Sequence, residues 1–392
     1  MKNEQIQDQI KPITKLLGTP LHLYPFVIAF LLFSFCGLAI GIIFFSPIRG
    51  ISFNYALNKL PIQASIPLIS NEIRENVSYK HGFNENLNPP MIREGMADEE
   101  LLQRASLVPR ILQFDQIKAV PKVAFLFLTR GPLPLAPLWE KFFRGHEGHY
   151  TIYLHTHPSY NETVPSNSVF YGRRIRSKEV QWGKFNMVEA ERRLLANALV
   201  DPSNERFVLL SESCIPLFNF STVYSHLMAS TQNFVESYVL PGPTGQGRYK
   251  RRLGPTITPG QWRKGSQWFQ IDRDLAVAVV SDGTYFPTFA KVCKTAPCYA
   301  DEHYLPTFVN IRFGRRNSNR SLTWVDWSRG GSHPSRYRRW HVTVGLLSGM
   351  RNGRRCTYNG KKTSVCFLFA RKFLPSSLDR LLRIAPKLMS FN

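Results

Sequence analysis

Carboxylates are scarce in this chain of 392 residues: 27 Asp and Glu stand against 50 Lys and Arg, a net charge of +23. A surplus that large implies an anionic partner, whether nucleic acid, a membrane surface or a phosphorylated substrate. The basic residues fall in short groups, such as Lys250 to Arg252 or Arg336, Arg338 and Arg339, and form no nucleic-acid-binding motif. Cysteine is sparse too. No Cys-x-x-Cys pair and no His/Cys cluster at zinc-ligand spacing occurs, which argues against a structural metal module. Internal repeats are absent, which sets aside repeat architectures. Disorder is excluded from the other side, because 43 % hydrophobic and 13 % aromatic residues offer enough apolar surface to offset the entropy of ordering the chain.

One long apolar run stands out, Leu23 to Phe45, free of charge and about the ~20 residues that a helix needs to cross hydrocarbon. Phe44, Phe45, Ser46 and Pro47 follow it where a signal peptide would carry a small-residue cleavage site, so an uncleaved anchor is expected. Lys2, Lys11 and Lys15 precede the run and Arg49 and Lys59 follow it. This bias places residues 1–22 in the cytosol as a tail and everything after the span outside it. Four Asn-x-Ser/Thr sequons, at Asn76, Asn161, Asn219 and Asn319, agree with that orientation and are candidate glycosylation sites. Cys214, Cys293, Cys298, Cys356 and Cys366 would then share an oxidising lumen. Five is odd, so at least one is free or pairs elsewhere; Cys293 with Cys298 and Cys356 with Cys366 are the short-range options, and spacing alone does not choose.

Residues 46–118, rich in Asn, Pro and Glu, are expected to form a stem. Within it Leu101, Leu102, Ala105 and Val108 share a helical face that Pro109 should end. The folded domain is assigned to 119–392. Lys122 to Thr129 is a continuous apolar run, the pattern of a strand covered on both faces. Leu135 to Phe143 has helical spacing, Tyr150 to His155 reads as a second strand, Met187 to Leu199 as an amphipathic helix and Arg206 to Ser211 as a third strand. Such alternation predicts an α/β domain with a largely parallel central sheet. Ligands of such sheets sit beyond the carboxyl ends of the strands. Thr129 and Arg130, His155 to His157, and Ser211 to Ser213 occupy that position on three strands, so they should face one cleft.

The motifs carry more. In order along the chain stand Val123-Ala-Phe-Leu-Phe-Leu-Thr, Tyr153-Leu-His-Thr-His-Pro, Phe207-Val-Leu-Leu-Ser-Glu-Ser-Cys-Ile-Pro-Leu and Trp262-Arg-Lys-Gly-Ser-Gln-Trp-Phe. Ala300-Asp-Glu-His-Tyr-Leu-Pro-Thr and Cys366-Phe-Leu-Phe-Ala-Arg-Lys-Phe complete the set. Over about Lys122 to Leu382 this resembles the plant branch of the core-2/I-branching β-1,6-N-acetylglucosaminyltransferases.

The resemblance implies a GT-A-like nucleotide-sugar fold, a Golgi membrane protein of single-pass type II topology, and inverting transfer of a sugar to a glycan hydroxyl. The donor is expected to be UDP-linked, N-acetylglucosamine being a family inference. It also implies that no metal cofactor is used, and Ser211-Glu212-Ser213 stands where a metal-binding Asp-x-Asp would lie. Glu302 matches the family's catalytic base, with Asp301 expected to cap the next helix and to raise the pKa of the base by like charge. Lys372 matches a lysine that contacts the diphosphate, and Lys361 or Lys362 falls near the place of a second family cation. Thr129, Arg130, His157 and Glu212 are the further candidate donor contacts. His157 departs from the family's nucleoside-holding aspartate. Trp262, Gln267, Trp268 and Trp324 are the candidate acceptor contacts, with Trp327 and Arg263 nearby, because sugars present apolar faces to aromatic rings and hydroxyl edges to polar groups. The rival expectation is a glycan-binding or scaffolding protein that keeps the fold without catalysis.

Overall fold

A computed structural model describes residues 97–111, 120–294 and 298–391. The span 23–45, the tail before it, most of the 46–118 segment and the Asn76 sequon lie outside the described residues. Among the described residues no helix is long and apolar enough to cross a membrane.

The elements run α1 (Asp98–Ile111), β1 (Lys122–Leu128), α2 (Ala136–Phe143), β2 (Tyr150–His155), α3 (Asn186–Leu199), β3 (Asn204–Ser211), β4 (Ile215–Pro216), α4 (Phe220–Met228) and β5 (Gln270–Asp272). They continue with α5 (Arg273–Val280), α6 (Tyr285–Cys293), α7 (Tyr304–Arg312), β6 (Thr323–Val325), α8 (Val344–Asn352), β7 (Cys356–Tyr358), β8 (Lys361–Thr363), β9 (Phe369–Arg371) and α9 (Leu378–Leu388). The main sheet has the order β2-β1-β3-β5, with β1 parallel to both neighbours and β5 antiparallel to β3. The largely parallel sheet read from the apolar runs is therefore present, closed at one edge by a short reversed strand.

Both faces of β1 are covered, as its unbroken apolar run requires. On one face Phe125 and Phe127, two residues apart and so on the same side of the pleat, meet Trp139 of α2 edge-on at 6.3 and 5.2 Å. Phe142, Phe143 and Phe220 extend that aromatic layer. Helix α3 packs across β1, β2 and β3. Helix α1, from the segment read as stem, docks on α3 with Leu101 and Ala105 buried, and Asp98 holds Arg193 through two oxygens at 2.6 and 3.1 Å. Pro109 does not end α1, which runs two residues further. A proline near the last turn forfeits one backbone bond without blocking those before it.

A second, smaller sheet of order β4-β9-β6 sets the site. The chain leaves β3 at Ser211, turns at once into β4, and β4 pairs antiparallel with β9. That pairing brings the segment after β9 back to the carboxyl end of the main sheet, where Phe373 N–H donates to Ser213 O at 2.9 Å. Disulfides join Cys293 to Cys298 and Cys356 to Cys366, which resolves the pairing left open by spacing; Cys214 is free and buried. The second disulfide ties off the β7–β8 hairpin, whose Asn359-Gly360 turn takes the left-handed φ values of 47° and 77° that its two-residue loop demands.

Candidate active site

Two adjoining cavities share part of their walls, and the smaller opens at the carboxyl ends of β1, β2 and β3. The smaller, about 460 Å³, is walled by Leu128 to Arg130, His155, His157 and Ser211 to Ser213. All three strand ends thus face one cleft. The larger, about 930 Å³, contains Glu302, Asp301, Lys264 and Arg248. Six side chains belong to both: Trp182, Gln267, Trp268, His333, Arg371 and Lys372.

Glu302 is placed by two loops stapled together. It ends a short 3-10 turn, Ala300–Glu302, just before α7. The segment 262–268 runs alongside. There Gly265 N–H donates to Glu302 O at 2.9 Å, Arg263 N–H to Thr307 Oγ1 at 3.0 Å, and the His303 ring pairs through Nδ1 with Arg263 O at 2.8 Å. Only glycine fits at 265, because a β-carbon there would stand 1.8 Å from Glu236 O and 2.7 Å from Pro306 Cγ. The staple delivers Lys264 Nζ to Glu302 Oε2 at 2.9 Å, and Arg248 Nη1 reaches the same oxygen at 2.7 Å while its guanidinium lies over the Tyr299 ring at 4.0 Å. Both cations fall on Oε2, and among the described residues no side chain takes Oε1.

Burial alone would raise the Glu302 carboxyl, but Lys264 and Arg248 outweigh it and hold the group below 4.5, ionised at neutral pH. The neighbouring carboxylate does not raise Glu302 as its sequence position suggested; the effect falls on Asp301, which burial first and Glu302 second push up to about 7. Nor does Asp301 cap α7. The capping position is His303, and Asp301 Oδ1 is buried without a partner. Deeper still, Glu191 of α3 accepts from Gln267 Nε2 at 2.8 Å, and burial raises it well above the carboxylate range.

Lys372 follows β9 at the boundary of the two cavities. Its main chain is fixed on both sides, by Phe373 N–H to Ser213 O and by Tyr337 N–H to Lys372 O at 2.8 Å. Burial, then Arg371 and Arg336, lower its ammonium from 10.5 to about 8 against the pull of Glu212. Arg371 lies over the Trp268 ring at 3.8 Å.

Of the residues singled out in the sequence, Thr129, Arg130, His157, Glu212 and Lys372 share the smaller cavity, and Glu302, Gln267, Trp268 and Lys372 share the larger. Trp262 is a correction. It is fully buried, stacked between Phe289 and His303 at 5.5 and 4.5 Å, and it supports the turn that carries Glu302 instead of facing a ligand. Trp324 lies beside the larger cavity, not in its wall, packed edge-on to Phe367 under the Arg354 guanidinium. Lys361 and Lys362 are exposed on β8 and reach neither cavity. Arg263 turns its guanidinium back onto Gly260 O and Trp262 O. Sequence reasoning missed Arg248, Lys264, Tyr299 and Trp182; Lys264 at least lay inside a quoted motif, whereas Arg248 and Trp182 carry no local signal. Of the sequons within the described residues, Asn161 and Asn319 are exposed, while Asn219 is half-buried and caps α4 by accepting from Thr222 N–H at 3.1 Å.

Residues 123–351 match the profile described as Core-2/I-Branching enzyme. Glycosyltransferase BC10 of Oryza sativa subsp. japonica is 36 % identical over 310 residues, covering 67 % of this chain and 76 % of the relative. A match that spans more than half of the chain, together with a relative this similar, shows that the protein belongs to the Core-2/I-branching enzyme family and is a glycosyltransferase.

Proposed function

We propose that the protein is an inverting, metal-independent transferase that moves an N-acetylglucosamine-like sugar from a UDP-linked donor to a glycan hydroxyl. The nucleotide occupies the smaller cavity, in a fold of the GT-A kind, and the acceptor the larger. The observation that carries this reading is the shared wall: Lys372 belongs to both cavities and Glu302 to the one beside it.

Glu302 Oε1 takes the proton of the acceptor hydroxyl as that oxygen bonds to the anomeric carbon. The bond from that carbon to the diphosphate breaks on the opposite face, so configuration inverts. The electron pair leaves with the diphosphate, whose growing charge Lys372 and Arg371 neutralise from fixed positions. Low basicity in Glu302 weakens the proton pull, yet its ionised form is fully populated, and the clamp on Oε2 aims the other oxygen. Metal independence is supported by the β3 terminus, where Glu212 is the one carboxylate in Ser211-Glu212-Ser213. Residence in the Golgi membrane as a type II protein rests on the apolar run 23–45 and the sequons beyond it.

Glu302→Gln tests the assignment. Transfer should fall by about 10²- to 10⁴-fold, while the thermal stabilisation given by UDP stays within error of wild type. Loss of both, or of neither, removes Glu302 from the role. The second reading, a glycan-binding protein without catalysis, is favoured by His157 in place of the family's aspartate. Hydrolysis of a UDP-sugar by the wild-type protein, abolished in Glu302→Gln, decides against it.

A further inference from the structure

Charge on the wall of the larger cavity is unbalanced in one place. Arg248 and Lys264 are engaged by Glu302, and Arg371 and Lys372 stand at the boundary with the nucleotide side. Arg320 is committed inward, donating to Cys366 O at 2.6 Å. Arg354 and Arg355 remain. Both line the larger cavity only, both are exposed, and among the described residues no carboxylate pairs with either.

The pair is held in place. Arg354 lies over the rings of Trp324 and Phe367, at 4.8 and 5.9 Å, which restrains its guanidinium at the cavity wall. Arg355 leads directly into Cys356, whose disulfide to Cys366 anchors the hairpin base, and both cysteines belong to the same wall. Around them the cavity wall carries the exposed aromatic side chains of Trp327 and Trp182. A neutral sugar chain gives two uncompensated guanidinium groups nothing to neutralise them; an acidic one does.

We propose that Arg354 and Arg355 form an anion subsite for the acceptor, so that the acceptor glycan carries a carboxylate or a sulfate ester near the hydroxyl that is glycosylated. This rests on the larger cavity being the acceptor site. Aromatic walls favour a glycan over an acidic peptide as the bearer of that charge.

The test uses the purified protein saturated with UDP on an array of short oligosaccharides matched in neutral, uronate-bearing and monosulfated forms, with acidic peptides alongside. Wild type should retain the uronate or sulfate form on the order of tenfold better than the neutral one at low salt; which of the two it retains identifies the anion. Arg354→Ala/Arg355→Ala should lose that preference and keep neutral binding, the UDP-induced thermal shift and the unliganded melting temperature. Lack of preference in wild type, preference unchanged in the variant, or retention of acidic peptides alone overturns the proposal. Loss of the UDP shift in the double variant also overturns it, by making the pair part of the nucleotide site. Failure of wild type to respond to UDP at all would instead refute the assignment of the smaller cavity, so the two failures are distinct.

Discussion

With the diphosphate set against Lys372, nucleotide affinity should fall as pH rises through the titration of that lysine. Its ammonium is lowered from 10.5 to about 8 by burial and by Arg371, Arg336 and Arg130, with Glu212 the opposing group. His333, held below 6.5 by burial and then by Lys372 and the neighbouring arginines, is already neutral in this range. Because the folded-state value lies below the unfolded one, the charged form is disfavoured in the free protein, and the stability of the free protein rises with pH between about 8 and 10.5. A bound diphosphate reverses this by restoring a favourable partner and raising the ammonium again. Affinity therefore follows the fraction of free protein that is protonated, which falls from about nine-tenths at pH 7 to about one quarter at pH 8.5, a roughly fourfold rise in Kd. Calorimetric titration with UDP in buffers of different ionisation enthalpy reads both the Kd and the proton: about half a proton is taken up per nucleotide at pH 8. Lys372→Arg, charged at every pH used, should give a flat profile and no uptake. A flat wild-type profile, or the same slope in Lys372→Arg, refutes the placement of the diphosphate at this lysine.

Gly265→Ala forces its β-carbon into Glu236 O and Pro306 Cγ, so the loop must shift and the staple to Glu302 opens. Overpacking of this kind costs about 1–3 kcal/mol, seen as a lower melting temperature, with a fall in kcat that outlasts any correction for unfolded protein; unchanged kcat would show that Lys264 need not hold Glu302. Trp262 and Trp327 should separate stability from recognition. Trp262→Ala removes a fully buried indole and costs about 3–5 kcal/mol, whereas Trp327→Ala, at a ring that is 51 % exposed on the cavity wall, should leave the melting temperature nearly unchanged and raise the acceptor KM about fivefold. The opposite pattern in melting curves and kinetics would reverse the two assignments.

The apolar runs were legible because a strand buried on both faces has no polar side to hide. Val123 to Leu128, Tyr150 to His155 and Arg206 to Ser211 all became parallel strands, and the polar residues at their ends met in one cavity. The loops were not legible in the same way. Residues 262–268 follow no helical or strand period, so nothing local says that Trp262 turns inward beneath His303 while Trp268 turns toward the cavities. Asp301 was misread for a related reason: whether a carboxylate before a helix caps it depends on one backbone dihedral, and here a left-handed Tyr299 and a 3-10 turn put His303 at the cap. The lysines of β8 failed through register, since the hairpin that carries them points Lys361 and Lys362 to solvent.

Placement of Lys372 depends on an arrangement that no single segment encodes. Lys372 lies far along the chain from Ser213, yet the two are adjacent because β4, two residues long, begins just past the end of β3 and pairs with β9. Such a short strand has little stability of its own. It persists because Ile215, Phe369 and Ala370 are buried beneath the aromatic layer, with Phe369 meeting Phe125 and Trp139 at 6.5 and 6.2 Å. The core that stabilises the main sheet is therefore the same packing that sets the cation at its edge. Substitutions at Phe369 should move Lys372 before they unfold the protein, so loss of nucleotide affinity would precede loss of fold.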